Sequence, residues 1–290
     1  MITVIGDLVA DILVSSQGAA NYATDTEGSI QLRAGGQGNH VAAWIAAAGR
    51  PSRLIGKVGE DPFGSFLLEE VEKNGVTCSV TADPRIQTGK IVILIEENTG
   101  ERSMITDRGA NLHLCSEDIE GIEDSQLLYI SGYSWFAPGP RRAVELAKRI
   151  ALSNGVPITV DPSSTYYLKE NKEAFLEFLD GVTFLFPNYE EGRLLTGEED
   201  PEKIVSTLQN YVRHPVLKLG SEGCLVCENR AIVKIPGKKT KAVDATGAGD
   251  SFTGTFLAAY VKTESLTEAA YRAVAVSSKV VSQIGARPVF

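Results

Sequence analysis

The sequence predicts an α/β fold, a mostly parallel central sheet flanked by helices, with a small β lid. Three observations carry this expectation. From Leu127 onward short apolar runs of strand length alternate with helical patterns, the order that builds a parallel sheet with helices on both faces. Residues from about 12 to 33 are instead extended, rich in Ser, Thr and Gly and without helical period, and a second extended pair follows at about 88–108. The length, 290 residues, can bury a substantial core, and with no internal repeat residues 1–290 read as a single domain in which the first extended stretch suits lid strands.

Taken in order, the first strand runs from Thr3 to Ile5 and ends in Gly6-Asp7, with Asp11 four residues later. Both acids also suit turns. Ala34-Gly35-Gly36-Gln37-Gly38-Asn39-His40 then precedes an alanine-rich helix that closes at Gly49. Its glycines let backbone come close to a ligand. Gly36-Gln37-Gly38-Asn39-His40-Val41 begins like a dinucleotide G-x-G-x-x-G, but Val41 fills the third glycine position and the first strand lies far upstream, which argues against a Rossmann dehydrogenase.

Ser52 to Val58 is the next strand, and Asp61-Pro62 opens a helix that runs to Lys73-Asn74-Gly75. Gly89 to Ile95 and Arg102 to Thr106 pair around a Glu97-Asn98-Thr99-Gly100 turn, with Lys90, Arg102 and Arg108 expected as exposed charges. Strand Leu127 to Ser131, helix Pro140 to Ser153, strand Pro157 to Asp161, helix Lys169 to Leu179 and strand Val182 to Phe186 follow. Ligands of such sheets bind at the carboxyl ends of the strands, so Gly132-Tyr133-Ser134-Trp135 and Asp161-Pro162-Ser163 are pocket candidates, Trp135 equally a core residue. Val216 to Leu225 is a strand, turn, strand unit, and a last helix covers Leu266 to Gln283.

Composition excludes several functions. A net charge of −9, from 28 basic and 37 acidic residues, has the wrong sign for a nucleic-acid partner. No run approaches the length of a membrane span and Met1 to Asp7 has no leader features, so no membrane partner and a cytoplasmic location are expected. Four scattered cysteines do not form a disulfide framework. Cys224-Leu225-Val226-Cys227 reads as a strand, which sends residues three apart to opposite faces and away from a common metal. Nothing fits a P-loop or a nucleophile elbow.

The chemistry concentrates in Ala242 to Gly254. Phe252, Phe256, Leu257 and Tyr260 recur at helical spacing behind Gly247-Ala248-Gly249, so a helix starts there with its amides open to an anion. Asp250 would repel that anion unless it has work to do. A general base in phosphoryl transfer fits, the plain alternative being a helix cap.

Asp244-Ala245-Thr246-Gly247-Ala248-Gly249-Asp250 resembles the C-terminal signature of the ribokinase, or PfkB, family of carbohydrate kinases. Gly35-Gly36 through Gly49, Val58-Gly59-Glu60-Asp61-Pro62-Phe63-Gly64, Asn188-Tyr189-Glu190-Glu191 and Lys218-Leu219-Gly220-Ser221-Glu222-Gly223 resemble further family segments, in family order. The resemblance spans essentially the whole chain and implies a ribokinase-like fold. It implies ATP and Mg²⁺ as cofactors, with Asp250 as base and Gly247, Ala248 and Gly249 as anion hole. Asp11, Gly35, Gly36, Gln37, Asn39 and His40 would meet the acceptor, and Asn188, Lys218, Gly220, Gly223 and Thr246 the nucleotide. Glu191 and Asn188 would serve Mg²⁺, while a K⁺ site at Asp244, completed by the tail Gly285-Ala286-Arg287-Pro288, is left open. The reaction expected is ATP-dependent phosphorylation of a hydroxyl on a sugar or sugar-like molecule, the alternatives being a nucleoside kinase and an inactive ligand-binding member. The resemblance also implies that the second extended pair, at about 88–108, completes the lid. Lid sheets of this family often pair between subunits, so a homodimer through the lid is also expected.

Two departures bear on the acceptor. The family pattern has Asn where this chain has His40, and tends to have Asn at the position of Val9. An unmatched buried polar group costs about 1–3 kcal/mol, so kcat/KM for ribose is expected to lie at least about 10-fold below that of the best acceptor. Steady-state rates over pentoses, hexoses, ketoses, polyols and nucleosides check this, and ribose as the best acceptor would overturn it.

Overall fold

A computed structural model describes residues 1–290 except 20, 97, 99–101, 230, 283–287 and 289–290. The hairpin turn expected at 97–100 falls largely outside the described residues, as do Gln283 and most of the tail that was to complete a cation site.

Among the described residues nine strands form one sheet. Inside it lies β1 (Ile2–Ile5), every residue of which is buried, with β8 (Leu127–Ser131) on one side and β4 (Ser52–Gly59) on the other. Beyond β4 lies β5 (Thr77–Asp83); beyond β8 come β9 (Ile158–Asp161), β10 (Phe184–Leu185) and β11 (His214–Lys218), all in parallel register. β12 (Gly223–Glu228) and β13 (Ala231–Pro236) extend this edge antiparallel. The sequence reading missed β5, whose Thr-Cys-Ser-Val-Thr-Ala-Asp is only half-buried at the sheet edge and carries little apolar signal, and it missed β13.

Helices cover both faces. On one side lie α1 (Gln37–Ala47), α2 (Pro62–Lys73), α8 (Ala248–Thr263) and α9 (Leu266–Val280). On the other are α3 (Gly132–Phe136), α4 (Pro138–Ser153), α5 (Thr165–Phe178), α6 (Tyr189–Thr196) and α7 (Pro201–Leu208). Burial sorts the residues accordingly: Cys224 packs in the first layer and Cys227 in the second, as expected for strand positions three apart. Both are free thiols. Asp61 caps α2 by accepting from the Gly64 amide at 2.9 Å, with Pro62 in the first turn as its sequence indicated.

The stretches expected to form a lid contribute a second sheet of four strands, in the order β3 (Ser29–Gly35), β2 (Val9–Ser16), β6 (Gly89–Glu96), β7 (Arg102–Asp107). The register aligns Leu32, Ile12, Val92 and Ile105 in one row and Ile30, Val14 and Leu94 in the next, all on one face of the sheet. That face is apolar yet exposed, with Ile30 at 72% and Ile105 at 65%. Asp11 stands on the opposite face.

One expected surface charge is not on the surface. Arg108 donates two hydrogen bonds to the buried carboxylate of Asp7, Nε to Oδ2 at 2.8 Å and Nη2 to Oδ1 at 2.9 Å. Burial alone would lower the guanidinium's pKa, but Asp7 outweighs it and raises it. Sequence spacing could not pair residues a hundred apart.

α1 and α8 approach one another closely beside Asp250. A side chain at Gly254 of α8 would stand 2.7 Å from Cβ of Trp44 and 2.8 Å from the carbonyl oxygen of Val41, both on α1. The bare glycine lets the two helices meet one turn after Asp250.

Candidate active site

α8 begins at Gly247, whose φ of 73° lies in the left-handed region that glycine enters without steric cost. No side chain caps this end. The Ala248 amide turns back to the Ala245 carbonyl at 3.2 Å, so capacity to hold an anion rests on the following amides and on the helix dipole. Ala248 and Gly249 line a cavity of about 610 Å³ together with Lys218, Gly220 and Gly223. Lys238, Lys239, Val274, Ser277 and Val281 also line it. Four of the residues assigned to an anion hole or nucleotide therefore share one cavity with Lys218, while Asn188 is reached through its bridge to Lys218. Thr246 lies just before the helix, its amide donating to Oδ1 of Asp244 at 2.9 Å. Asp244 is buried, and the tail residues that would complete a K⁺ site there lie mostly outside the described residues.

Behind the helix start lies a cluster of charge. Lys218 Nζ donates to Asp161 Oδ2 at 2.7 Å and stands 3.7 Å from where a Gly249 side chain would begin. Burial opposes this ammonium, but Asp161 and Glu191 outweigh it and raise its pKa. Glu191, 2% exposed, shares a reciprocal cap with Asn188: its Oε2 accepts from the Asn188 amide at 2.8 Å, and Asn188 Oδ1 accepts from the Glu191 amide at 2.9 Å. Burial first and the neighbouring Asp161 second push the Glu191 carboxyl up to about 7.

This donor set fits Mg²⁺. It is all oxygen, carries more acid than base, and includes a buried carboxyl that a nearby dication would favour in its ionised form. Among the described residues no group of three or more His, Cys, Asp or Glu could hold a metal alone, which suits an ion that keeps water and phosphate oxygens as ligands. Asn188 has its side-chain carbonyl committed to the cap, so Glu191 is the stronger contributor of the two.

On the other side of α8 the glycine-rich loop meets the lid. Gly36 has φ 98°, and a side chain there would lie 2.2 Å from the Asp7 carbonyl oxygen; one at Gly35 would strike the Asp11 carboxylate at 2.2 Å. Gly35 thus leaves room for the Asp11 carboxylate, and Gly36 for the Asp7 backbone. Gln37 Oε1 accepts from Ser131 Oγ at 2.5 Å and Ser163 Oγ at 2.6 Å, which ties the ends of β8 and β9 to the loop. Ser163 is itself held at φ 68°. Sequence reasoning marked both strand ends as pocket candidates but could not see that they converge on Gln37. Trp135 belongs to the core, among Phe136, Phe175 and Phe178. Asn39 is buried and donates to the Gly35 carbonyl at 3.0 Å, bracing the loop from behind. His40 reaches across to α8, Nδ1 lying 3.0 Å from Asp250 Oδ2.

A doubly covered α/β sheet with a cavity of small-molecule size at the start of a helix and an acidic cluster beside it is the framework of a small-molecule kinase. The chain belongs to the PfkB family of carbohydrate kinases: the model of that family, described as pfkB family carbohydrate kinase, matches residues 1–289. A ribokinase from Haemophilus influenzae is 27% identical over 294 residues, covering 99% of this chain and 94% of the relative. The crystal structure of adenosine kinase from Sinorhizobium meliloti superposes with a TM-score of 0.89 at 27% identity, covering 100% of this chain and 96% of that one. A putative ribokinase II from E. coli, solved in complex with ATP and Mg²⁺, shares the fold with a TM-score of 0.89 at 23% identity over 98% of this chain and 94% of that one. Among the described residues no helix is long and apolar enough to cross a membrane.

The raised Glu191 carboxyl has a signed consequence for stability. Its folded value of about 7 exceeds the ordinary 4.5, so between those pH values the folded state binds the extra proton and stability falls as pH rises. Glu191→Gln keeps a cap-competent side chain and removes the titration. Without Mg²⁺, denaturant unfolding should show the variant gaining about 1–3 kcal/mol on wild type between pH 4.5 and pH 7.5. An equal difference at both pH values would place Glu191 as an ordinary cap residue.

Proposed function

We propose that this kinase transfers the γ-phosphoryl group of ATP to a hydroxyl of a sugar or sugar-like metabolite, with Asp250 as general base. One observation carries the reading: Asp250 stands on the first turn of α8, next to Gly249 of the cavity, and its Oδ2 lies 3.0 Å from His40, which follows the glycine-rich loop where Gly35 packs on Asp11. The acceptor O–H bond breaks as its proton moves to the Asp250 carboxylate. The oxygen bonds to the γ-phosphorus, the bond to the bridging oxygen breaks, and ADP departs.

Each remaining group has a part in that step. Asp11 orients the acceptor by accepting from its hydroxyls, and Gln37, fixed by Ser131 and Ser163, walls the same pocket. The α8 amides and Lys218 lie on the side where negative charge develops on the transferring group. Mg²⁺, held near Glu191, would neutralise phosphate charge when bound. A nucleoside acceptor is the second reading, favoured by the likeness to the Sinorhizobium meliloti adenosine kinase over the full chain. Coupled ATP turnover across sugars and nucleosides decides between them.

The exposed apolar face of the lid sheet, with Ile30, Leu32, Leu94 and Ile105, supports a dimer in which two lids cover one another. Sedimentation should give a dimer for wild type and a monomer for Ile30→Lys combined with Ile105→Lys. A monomeric wild type would overturn it.

Asp250→Asn is expected to lower kcat by at least about 10²-fold while leaving ATP affinity and the unfolding midpoint close to wild type. Turnover near the wild-type rate would remove Asp250 from the chemistry.

A further inference from the structure

His40 is 6% exposed, and both of its ring nitrogens lie within hydrogen-bond reach of an oxygen that is an acceptor. Nδ1 is 3.0 Å from Asp250 Oδ2, and Nε2 is 3.3 Å from the carbonyl oxygen of Ala34. A backbone carbonyl can only accept, and so can an ionised carboxylate. Neutral imidazole has one N–H and one lone pair, so either tautomer would set a lone pair against an oxygen on one side of the ring. Both contacts are satisfied together only when one further proton lies between Nδ1 and Oδ2.

We infer that His40 is a positioning residue for Asp250: its ring, carrying N–H on both nitrogens, bridges the lid strand to the carboxylate and fixes Oδ2, leaving Oδ1 to face the acceptor. The inference rests on the reading of Asp250 as base. Three features of the fold support it. Ala34 belongs to β3, so the ring ties the lid to the base in one step. The glycine at 254 brings α1 against α8 one turn beyond Asp250, close enough for the side chains to meet. The charged groups on the surrounding elements are compatible with a proton there: Asp250 on α8 and Asp11 on β2 are acidic, Lys218 on β11 is paired with Asp161, and Arg108 is paired with Asp7. The balance of the reaction is unchanged, since the acceptor proton goes to Oδ1 and the Nδ1 proton stays.

This differs from the expectation that His40 meets the acceptor, because both polar atoms of the ring are engaged within the protein. The two roles separate kinetically. His40→Ala should lower kcat about 10-fold or more while the KM values for ATP and acceptor stay within about 2-fold, and His40→Gln, which offers an amide N–H, should recover part of kcat. A raised acceptor KM with unchanged kcat would overturn the inference and make His40 an acceptor ligand.

A second measurement does not depend on how the His40 variants fold. With only three histidines in the chain, ¹⁵N spectra of the imidazole side chains can be assigned. Wild-type His40 should show protons on both ring nitrogens at assay pH, and Asp250→Asn should convert it to a single-proton ring. A wild-type ring with one proton would overturn the inference and leave the base assignment standing; retained turnover in Asp250→Asn would overturn the base assignment itself.

Discussion

The arrangement of this molecule depends on how closely α1 and α8 approach at Gly254. Each helix carries one side of the site: α1 follows the glycine-rich loop, and α8 carries Asp250. A methyl group at 254 would fall inside contact distance of both the backbone and the side chain of α1, and packed interiors do not absorb such an overlap without moving an element. Because Asp250 lies four residues before Gly254, on the same stripe of the helix, the spacing of the two helices is also the spacing of His40 and Asp250. Packing and chemistry are therefore one constraint here.

Charge is the second organising element. Asp161, Glu191 and Asp250 gather around the single ammonium of Lys218, an excess of acid in a buried setting. The protein answers it locally in three ways: an ion pair at 2.7 Å, a cap that gives Glu191 one amide donor, and retention of a proton on that carboxyl up to about pH 7. A dication bound beside Glu191 would offset that excess and favour the ionised carboxyl. The Asp7–Arg108 pair shows the opposite case, a buried charge fully matched by a bidentate partner, which anchors the start of the lid to the end of β7 and needs nothing further.

Local chemistry in the sequence determined a good deal. Alternating strands and helices gave the class of fold, Asp61-Pro62 placed the start of α2, and Gly247-Ala248-Gly249 before an apolar period of 3.6 located α8 and the acid on it. These features are encoded within a few residues, so they could be read without a structure. The same holds for the separation of Cys224 from Cys227, which follows from the two-residue period of a strand. β5, an edge strand with a weak local signal, could not be read in this way, since half-buried edge strands need no strong apolar pattern, whereas Ile232, Val233 and Ile235 of β13 carried a strand signal that went unread.

What only the tertiary structure decided were the pairings. Gln37 with Ser131 and Ser163, Lys218 with Asp161, Arg108 with Asp7, and His40 with Asp250 each join residues far apart in the chain. The sequence named most of these residues as candidates one at a time, and for Arg108 it pointed to solvent. Partners are set by which strand ends lie side by side and by how near two helices can come, and those distances follow from the packing of the whole sheet, not from any short segment. The sequence by itself therefore determined which residues could do chemistry, while the fold decided which of them act on one another.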